Sequence, residues 1–253
     1  MTIKFGTDGW RAVISDTFTF ENLRKVSQAT ADYLLEQADE GQALSVVIGF
    51  DTRFLSDRYA LEVARVMAAN NITAWLTRAD SPTPAISYNV VHKQANMGVM
   101  ITASHNPPRY NGFKLKTHYG GAATKNQTQA VAVHLEKIEA EQKTPKLISY
   151  DEALKKERIF RFDPAWTYYD HLTSKLIDLD IISLGELNVI ADGMFGSGRG
   201  AFSEVLSRTR TRVTNIRAEM NPGFGGIHPE PMQKYLRELI ATVRNANADI
   251  GLV

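Results

Sequence analysis

The sequence predicts an α/β fold with mostly parallel sheets, and two observations lead to this prediction. Short apolar runs that include β-branched residues recur along the 253 residues, and amphipathic stretches separate them. Strands that alternate with helices form right-handed βαβ crossovers, which place neighbouring strands parallel to each other. The composition, 43% hydrophobic and 23% charged, is that of an ordinary globular protein with ample material for a core.

The first half of the chain contains three predicted buried strands and three predicted helices. The strands lie at residues 45–50, 72–76 and 97–102, and the helices lie at 22–37, 57–70 and about 125–142. Ser56 and Thr124 each precede one of these helices, and both are residue types that cap helix N-termini. We therefore expect a first α/β domain over residues 1–145.

A polar segment without convincing periodicity, residues 143–158, separates this series from a second one. Asp163 and Pro164 begin a helix that we expect to reach about residue 178. The remaining predicted elements are strands at 187–192, 212–216 and 248–253, a helix after a glycine-rich turn, and a helix at 232–247. We expect a second α/β domain over residues 155–253.

Charge and residue usage exclude several classes of protein. The 29 Lys and Arg residues nearly balance the 28 Asp and Glu residues, so we expect no broad nucleic-acid surface. Cysteine is absent, which excludes disulfides, zinc–thiolate sites and cysteine nucleophiles. The first ten residues contain no apolar signal core, and no run of ~18 apolar residues occurs. We therefore expect a cytoplasmic protein without membrane association, and its oligomeric state stays open.

The densest group of chemically reactive side chains lies at residues 101–116, ITASHNPPRYNGFKLK. Ser104, His105 and Asn106 follow a predicted strand, and the carboxyl edge of such a sheet is where ligands bind. A pair of prolines stiffens the turn that comes next. The segment is therefore a candidate functional loop.

Cations follow this loop. Lys114 and Lys116 lie two residues apart, so they share one side of an extended segment. A serine near cations suits a phosphoryl carrier, because the cations offset the charge of the phosphate dianion. A hydrolase pair of Ser104 and His105 is disfavoured, because adjacent extended residues point to opposite faces and no G-x-S-x-G occurs. The alternative is a turn whose polar side chains only hydrogen-bond locally.

Three further segments combine glycine with polar side chains. FGTDGWR at 5–11 contains a turn followed by Arg11, whose guanidinium suits phosphate. DGMFGSGRG at 192–200 has the position of a phosphate-binding turn, but its glycines do not fit G-x-G-x-x-G, and a structural role is favoured. NPGFGGIHPEP at 221–231 is either a packed connector or a loop that faces a ligand.

Patterns of metal ligands are weak in the sequence. No H-E-x-x-H or EF-hand loop occurs. Asp178 and Asp180 form the D-x-D pair, which we interpret as a solvated helix end. Asp51 and Arg53 follow the strand at 45–50, and we interpret them as residues that orient the loops at the ligand edge.

These motifs together resemble those of the α-D-phosphohexomutase superfamily, the phosphoglucomutases and phosphomannomutases. FGTDGWR matches the N-terminal motif of that superfamily, TASHNP matches its phosphoserine loop, and NGFK matches the lysine segment that follows. The similarity covers nearly the whole chain. Trp10 and the Phe-Lys-Leu-Lys at 113–116 look more like phosphoglucomutases and phosphomannomutases than phosphoglucosamine mutases. The resemblance therefore implies glucose or mannose phosphates as substrates.

The resemblance also implies a mechanism. Ser104 would carry a phosphoryl group and exchange it with a hexose 1- or 6-phosphate through a hexose 1,6-bisphosphate, and Mg²⁺ would bind the phosphoserine. Lys114 would be the leading general acid or base, Arg11 would orient and charge the site, and His105 would assist. The residues expected to bind substrate are Thr7, Arg11, Asn106 and Lys114.

For the architecture, the resemblance implies two similar three-layer α/β/α domains with mixed, mostly parallel sheets, the second of them incomplete. In the superfamily, a D-x-D-x-D-R loop with the other metal ligands would begin just beyond residue 253. We therefore expect this chain to be an N-terminal portion without full mutase activity. The alternatives are a nucleotide-binding oxidoreductase built around residues 192–200 and a non-catalytic module that retains the first half of the fold.

Overall fold

The computed structural model describes residues 3–6 and 9–253, which form two units, and the first unit is built on a six-stranded sheet. Its strands are β1 (Gly9–Val13), β2 (Ser45–Phe50), β3 (Thr73–Thr77), β4 (Met97–Ile101), β5 (Tyr110–Thr117) and β6 (Ile159–Phe162). The order across the sheet is β1-β5-β4-β2-β3-β6. Strand β2 pairs in parallel with β3 and β4, β6 pairs in parallel with β3, and β5 is antiparallel to both of its neighbours. The predicted mixed, mostly parallel sheet is confirmed.

Helices cover both faces of this sheet. The helices of the first unit are α1 (Phe20–Glu36), α2 (Ser56–Ala69), α3 (Thr83–His92), α4 (Lys125–Ala140) and α5 (Tyr150–Lys155). Side chains of α1, α2 and α4 share the larger core with Val46 and Ile48 of β2. On the other face, Ile86 and Val90 of α3 pack with Val47 of β2. Because both faces of β2 are buried, its sequence is a continuous apolar run rather than an alternating one.

Local capping explains where α4 begins but not where α2 begins. The hydroxyl of Thr124 accepts a hydrogen bond from the Gln127 amide, and Gln127 completes a capping box, so the predicted cap of α4 is confirmed. The predicted cap at Ser56 is wrong. Leu55 precedes α2 in a left-handed conformation, and the Ser56 hydroxyl instead donates to Asp51 Oδ1 at 2.8 Å.

The segment after α4 is packed against the first unit. Lys146 donates its backbone N–H to Gln28 Oε1 at 2.9 Å, and Arg65 Nε donates to the Ile148 carbonyl at 2.8 Å. Helix α5 and strand β6 follow, and β6 joins the first sheet beside β3. The sequence placed the domain junction between residues 145 and 155, whereas the first unit continues to Pro164. The polar composition of this segment reflects its surface position and not a linker.

The second unit comprises Ala165–Val253 together with two short segments, Thr52–Phe54 and Ser104–Pro108. Its parallel sheet has the order β8-β7-β9, formed by β7 (Asn188–Asp192), β8 (Arg212–Ile216) and β9 (Ile250–Leu252). The helices are α6 (Ala165–His171), which continues as a π-helical turn, α7 (Leu179–Leu184), α8 (Ala201–Leu206) and α9 (Arg237–Asn245). Asp178 lies at a helix end, but it caps the N-terminus of α7, whereas the sequence predicted that a helix from Asp163 would reach about residue 178.

Across the described parts of the two units, no helix has the length and apolar character needed to cross a membrane.

Candidate active site

The serine loop, Ser104–Pro108, leaves the carboxyl end of β4 and leads into β5. Ser104 has a left-handed backbone with φ of 57°, and its side chain is exposed. His105 is also exposed, and its Nδ1 lies 3.4 Å from Ser104 Oγ. The expectation that these side chains point apart is wrong, because it assumed an extended backbone and the left-handed turn removes the alternation.

Arg53 holds the backbone of this loop. Its Nη1 donates to the Pro107 carbonyl at 2.9 Å, and its Nη2 donates to the carbonyls of Ser104 at 2.8 Å and Asn106 at 2.6 Å. Arg53 is only 3% exposed. These contacts support the interpretation of Arg53 as a residue that orients a loop. Asn106 takes part through its backbone carbonyl, which accepts from the same nitrogen as the Ser104 carbonyl.

The neighbours of Arg53 in the second unit come from distant parts of the chain. The Thr52 hydroxyl donates to the Phe195 carbonyl at 2.9 Å. The guanidinium carbon of Arg53 lies 5.0 Å from the centre of the Phe224 ring, which is the range of a cation–π contact. Residues 52 and 53 are therefore contacted from two glycine-containing segments, the turn at 192–200 through Phe195 and the loop at 221–231 through Phe224.

In the first unit, a hydrogen-bonded network joins the ends of three strands to α2. Asp51 accepts from the Thr102 hydroxyl at 2.6 Å and from the Ser56 hydroxyl at 2.8 Å. Asn111, which is fully buried, donates its side-chain amide to Ser56 Oγ at 2.9 Å. Charge-assisted hydrogen bonds to a carboxylate are about twice as strong as neutral ones. The sequence indicated Asp51 and gave Ser56 only as a helix cap. It missed Asn111, because the partner of Asn111 in this network, Ser56, is 55 residues away.

Arg11 and Lys114 lie on neighbouring strands and point to the same face of the first sheet. Arg11 pairs with Gly112, and Lys114 lies two residues further along β5. Such diagonal neighbours are about 7–8 Å apart. Lys116 follows the same alternation, so the predicted common side of the two lysines is confirmed. A side chain at Gly112 would meet the Thr102 carbonyl at 2.5 Å, which explains the glycine between these cations.

Some sequence signals have a structural role or cannot be placed. Trp10 is 2% exposed and stacks on Phe18, with 4.6 Å between the ring centres. Phe113 is fully buried. Both are core residues of the first unit, so they are not direct contacts to a sugar. Thr7, which we expect to bind substrate, lies outside the described residues.

The glycine-rich turn after β7 uses its backbone amides internally. The Gly193 amide donates to the Ile216 carbonyl at 3.0 Å, the Met194 amide to Asp192 Oδ1 at 3.0 Å, and the Phe195 amide to the Arg217 carbonyl at 2.8 Å. A phosphate-binding turn needs such amides directed at the ligand. The favoured structural role of this turn is supported, and the dinucleotide-binding alternative loses its basis.

Potential metal ligands are scattered. Within residues 3–6 and 9–253, no group of three or more His, Asp or Glu side chains is arranged to hold a metal ion. Ser104 could contribute one ligand oxygen through a phosphate. The described residues therefore do not by themselves fit a magnesium site.

Two family models match the chain. The phosphoglucomutase/phosphomannomutase α/β/α domain I matches residues 2–142, and domain II of the same family matches residues 167–253. Together they cover most of the 253 residues.

Individual relatives agree with this assignment. A protein of Methanosphaera stadtmanae assigned as a phosphoglucosamine mutase is 34% identical over 98% of this chain and 51% of its own length. A phosphoglucomutase of Staphylococcus saprophyticus is 40% identical over 54% of this chain and 25% of its own length. A crystal structure from Thermus thermophilus, assigned as a phosphomannomutase, superposes with a TM-score of 0.83 at 33% identity, over 96% of this chain and 52% of that one.

The chain thus spans about half the length of relatives that match nearly all of it. Their names differ in the sugar, but the two family models that match this chain are domains I and II of one family. The chain belongs to the phosphoglucomutase/phosphomannomutase family of the α-D-phosphohexomutase superfamily.

Proposed function

We propose that this chain supplies the phosphoserine part of a phosphohexomutase, in which Ser104 exchanges a phosphoryl group with a hexose phosphate. The observation that carries the proposal is the serine loop itself. An exposed hydroxyl stands on a turn whose carbonyls are held by a buried guanidinium, in a chain of this family. A carrier hydroxyl must be accessible to two successive acceptors and fixed in position, and this loop meets both conditions.

The chemistry requires a proton to move at each transfer. When phosphoserine gives its phosphoryl group to a sugar hydroxyl, the bond between phosphorus and Ser104 Oγ breaks and a bond to the sugar oxygen forms. The sugar hydroxyl loses its proton, and we propose Lys114 as the group that takes it. His105 Nδ1, 3.4 Å from Ser104 Oγ, is placed to return a proton to the serine oxygen.

The remaining roles concern charge and binding. Arg11 carries a fork of donors that suits phosphate, and it shares its sheet face with Lys114. Thr7 and Asn106 are proposed to contact the sugar phosphate. Reversal of the first step, with the bisphosphorylated sugar turned around, returns the other phosphoryl group to Ser104. The expected ligand is therefore a sugar phosphate, with the hexose 1,6-bisphosphate as intermediate.

Mg²⁺ would neutralise the phosphoryl oxygens during transfer when it is bound. Because the described residues contain no group of three or more side chains that could hold a metal ion, further ligands beside the phosphate of Ser104 are expected from outside them. The cytoplasmic location stays a prediction.

The sugar is proposed to be glucose or mannose, as the resemblance implies. Trp10 and the Phe-Lys-Leu-Lys at 113–116 suggested this preference, and the apolar ones among these residues lie in the core and would act on a sugar only indirectly. Relatives assigned to glucose, mannose and glucosamine phosphates all match the chain. Comparison of the three hexose 1,6-bisphosphates as donors therefore tests the preference directly.

The test of the proposed function is phosphorylation of the purified chain. It is incubated with each bisphosphate and Mg²⁺, and intact mass is measured. We expect the mass of one phosphoryl group to be added, and we expect Ser104→Ala to abolish the gain. Ser15→Ala is a matched control, because Ser15 is also exposed and also left-handed, with φ of 66°. Uptake by Ser104→Ala, or no uptake by the unmodified chain with any donor, would contradict the proposal.

A further inference from the structure

Among the described residues, one side chain outside the serine loop, that of Arg53, binds the loop backbone at several points. Three of the five carbonyls of Ser104–Pro108 accept hydrogen bonds from Arg53, at distances from 2.6 to 2.9 Å. Hydrogen bonds to a charged group are stronger than those between neutral groups. Arg53 is therefore a strong polar anchor of the loop backbone.

The chemistry of the loop explains why a cation is needed there. The carbonyls of Asn106 and Pro107 belong to peptide bonds whose nitrogen is that of a proline, so these peptides accept hydrogen bonds but donate none. Carbonyls that converge on one point need a donor with several N–H groups in a fixed plane. A guanidinium provides this fork, whereas an ammonium group is a point charge on a flexible stem.

The guanidinium is in turn covered by an aromatic ring. Phe224 is 3% exposed, and the centre of its ring lies 5.0 Å from Arg53 Cζ. A ring face over a guanidinium attracts the cation and excludes water from one side of it. This contact fixes the plane of the guanidinium and hence the directions in which it donates.

The backbone around Phe224 is unusual for a residue that only fills space. Phe224, Gly225 and Gly226 are all left-handed, with φ of 52°, 61° and 77°. This region is unfavourable for a bulky side chain, and such strain persists where the surroundings impose it. A Cβ on Gly225 would lie 2.7 Å from the Phe195 ring, so the tight turn that presents Phe224 requires glycine.

We propose that Arg53 and Phe224 are positioning residues for phosphoryl transfer at Ser104, with Phe224 acting through Arg53. This inference rests on the proposed function of Ser104 as phosphoryl carrier. Phe224 fixes the guanidinium, the guanidinium fixes the loop carbonyls, and the loop fixes the direction of Ser104 Oγ. The loop at 221–231 therefore acts on the transfer step, although Phe224 reaches Ser104 only through the guanidinium.

The test compares Arg53→Lys, Phe224→Leu and the double variant with two controls. Phe54→Leu controls for loss of a ring, since Phe54 is 58% exposed, and Arg109→Lys controls for a cation next to the loop. The rate of phosphoryl uptake is measured against the concentration of hexose 1,6-bisphosphate. Because small displacements of a reacting group can cost up to about a hundredfold in rate, we expect each single variant to lower the maximal rate about tenfold to a hundredfold. The half-saturating donor concentration should change by less than about threefold, and the controls should behave like the unmodified chain.

The double variant separates a positioning role from general damage. If Phe224 acts through Arg53, Phe224→Leu should change the rate by less than about twofold in the Arg53→Lys background. Rescue adds a second signature, because free guanidinium ion at millimolar concentration should restore part of the rate of Arg53→Ala, and ethylammonium should not. Multiplicative rate losses in the double variant, or absence of rescue, would overturn the proposal.

Amide hydrogen exchange tests the positioning role independently of activity. Exchange at His105 and at the residues that flank the loop should speed up about tenfold or more in both single variants, while exchange in β7 and β2 should not change. If the unmodified chain takes up no phosphoryl group, the proposed function fails, and the exchange result still decides whether Arg53 and Phe224 hold the loop. Unchanged exchange in the loop would refute that role.

Discussion

Replacement of Arg217 with methionine is expected to destabilise the second unit by about 3–5 kcal/mol, because it leaves a buried carboxylate without its cation. Arg217 Nε donates to Asp192 Oδ1 at 2.9 Å, and Nη2 donates to Oδ2. The Arg217 side chain is 6% exposed and that of Asp192 is 0% exposed. In Arg217→Met, Asp192 keeps the hydrogen bond from the Met194 amide at 3.0 Å, which cannot replace a bidentate ion pair.

Substitution of the other partner, Asp192, should reduce the free energy of unfolding by less. In Asp192→Asn, the amide oxygen can still accept from the Met194 amide, and Arg217 keeps the Tyr235 carbonyl at 3.3 Å. Glu238 also lies near, with Oε2 at 3.8 Å from Arg217 Nε. We expect a loss of about 1–3 kcal/mol, the penalty of an imperfectly satisfied buried group. The double variant should lose less than the sum of the two, with a coupling energy of at least about 1 kcal/mol.

Native-state amide hydrogen exchange measures these losses separately in each sheet. The amides of β7 and β8 report the second unit, and those of β2 and β4 report the first and serve as the internal reference. Two results would refute the reasoning that this ion pair stabilises the second unit. One is a loss of unfolding free energy below about 1 kcal/mol in Arg217→Met, and the other is a coupling energy within about 0.5 kcal/mol of zero.

Three further predictions concern the first unit. Burial raises the pKa of Tyr59, so the unfolded chain loses the phenolic proton at a lower pH than the folded chain does. The free energy of unfolding therefore decreases as pH rises above about 10. In urea unfolding, Tyr59→Phe should lose less stability over this alkaline range than the unmodified chain. Burial lowers the pKa of Lys93, whose Nζ lies 4.4 Å from the ring centres of both Trp75 and Phe162. The folded chain therefore loses the ammonium proton at a lower pH than the unfolded chain, and the free energy of unfolding increases as pH rises through the lowered pKa. Phe162→Ala should raise the pKa of Lys93 towards the ordinary lysine value, as an NMR titration of its ammonium group would show. Thr124→Ala removes the capping box of α4 and should cost about 1 kcal/mol in thermal or urea unfolding.

The inner strands were predictable because burial on both faces leaves a continuous apolar run. Strands β2, β3 and β4 lie where the sequence placed them, within one residue at each end. The outer strands β1 and β6 are short, and β5 alternates apolar residues with lysine. Such segments contain no continuous apolar run that would identify them as strands from sequence. Their extended conformation depends on the strands with which they pair.

The serine loop was predictable in place but not in geometry. The sequence located Ser104 at the carboxyl end of a buried strand, because strand alternation and turn residues are local signals. The left-handed backbone of Ser104, which brings His105 towards its hydroxyl, is not a local signal. Non-glycine residues adopt it uncommonly, and here the loop backbone is held by Arg53, 51 residues earlier in the chain.

The turn at 192–200, for which the sequence favoured a structural role, and the loop at 221–231, which it left undecided, are better understood as supports for the serine loop than as ligand-binding turns. In the turn after β7, a Cβ on Gly193 would lie 3.0 Å from the Arg217 carbonyl, so glycine is needed for close packing. That packing presents the Phe195 carbonyl to the hydroxyl of Thr52, the residue next to Arg53. The loop at 221–231 likewise uses its glycines to present Phe224 to Arg53. Because both segments contact neighbouring residues of one tripeptide, close packing beside the serine loop accounts for Gly193 and Gly225 without a bound nucleotide.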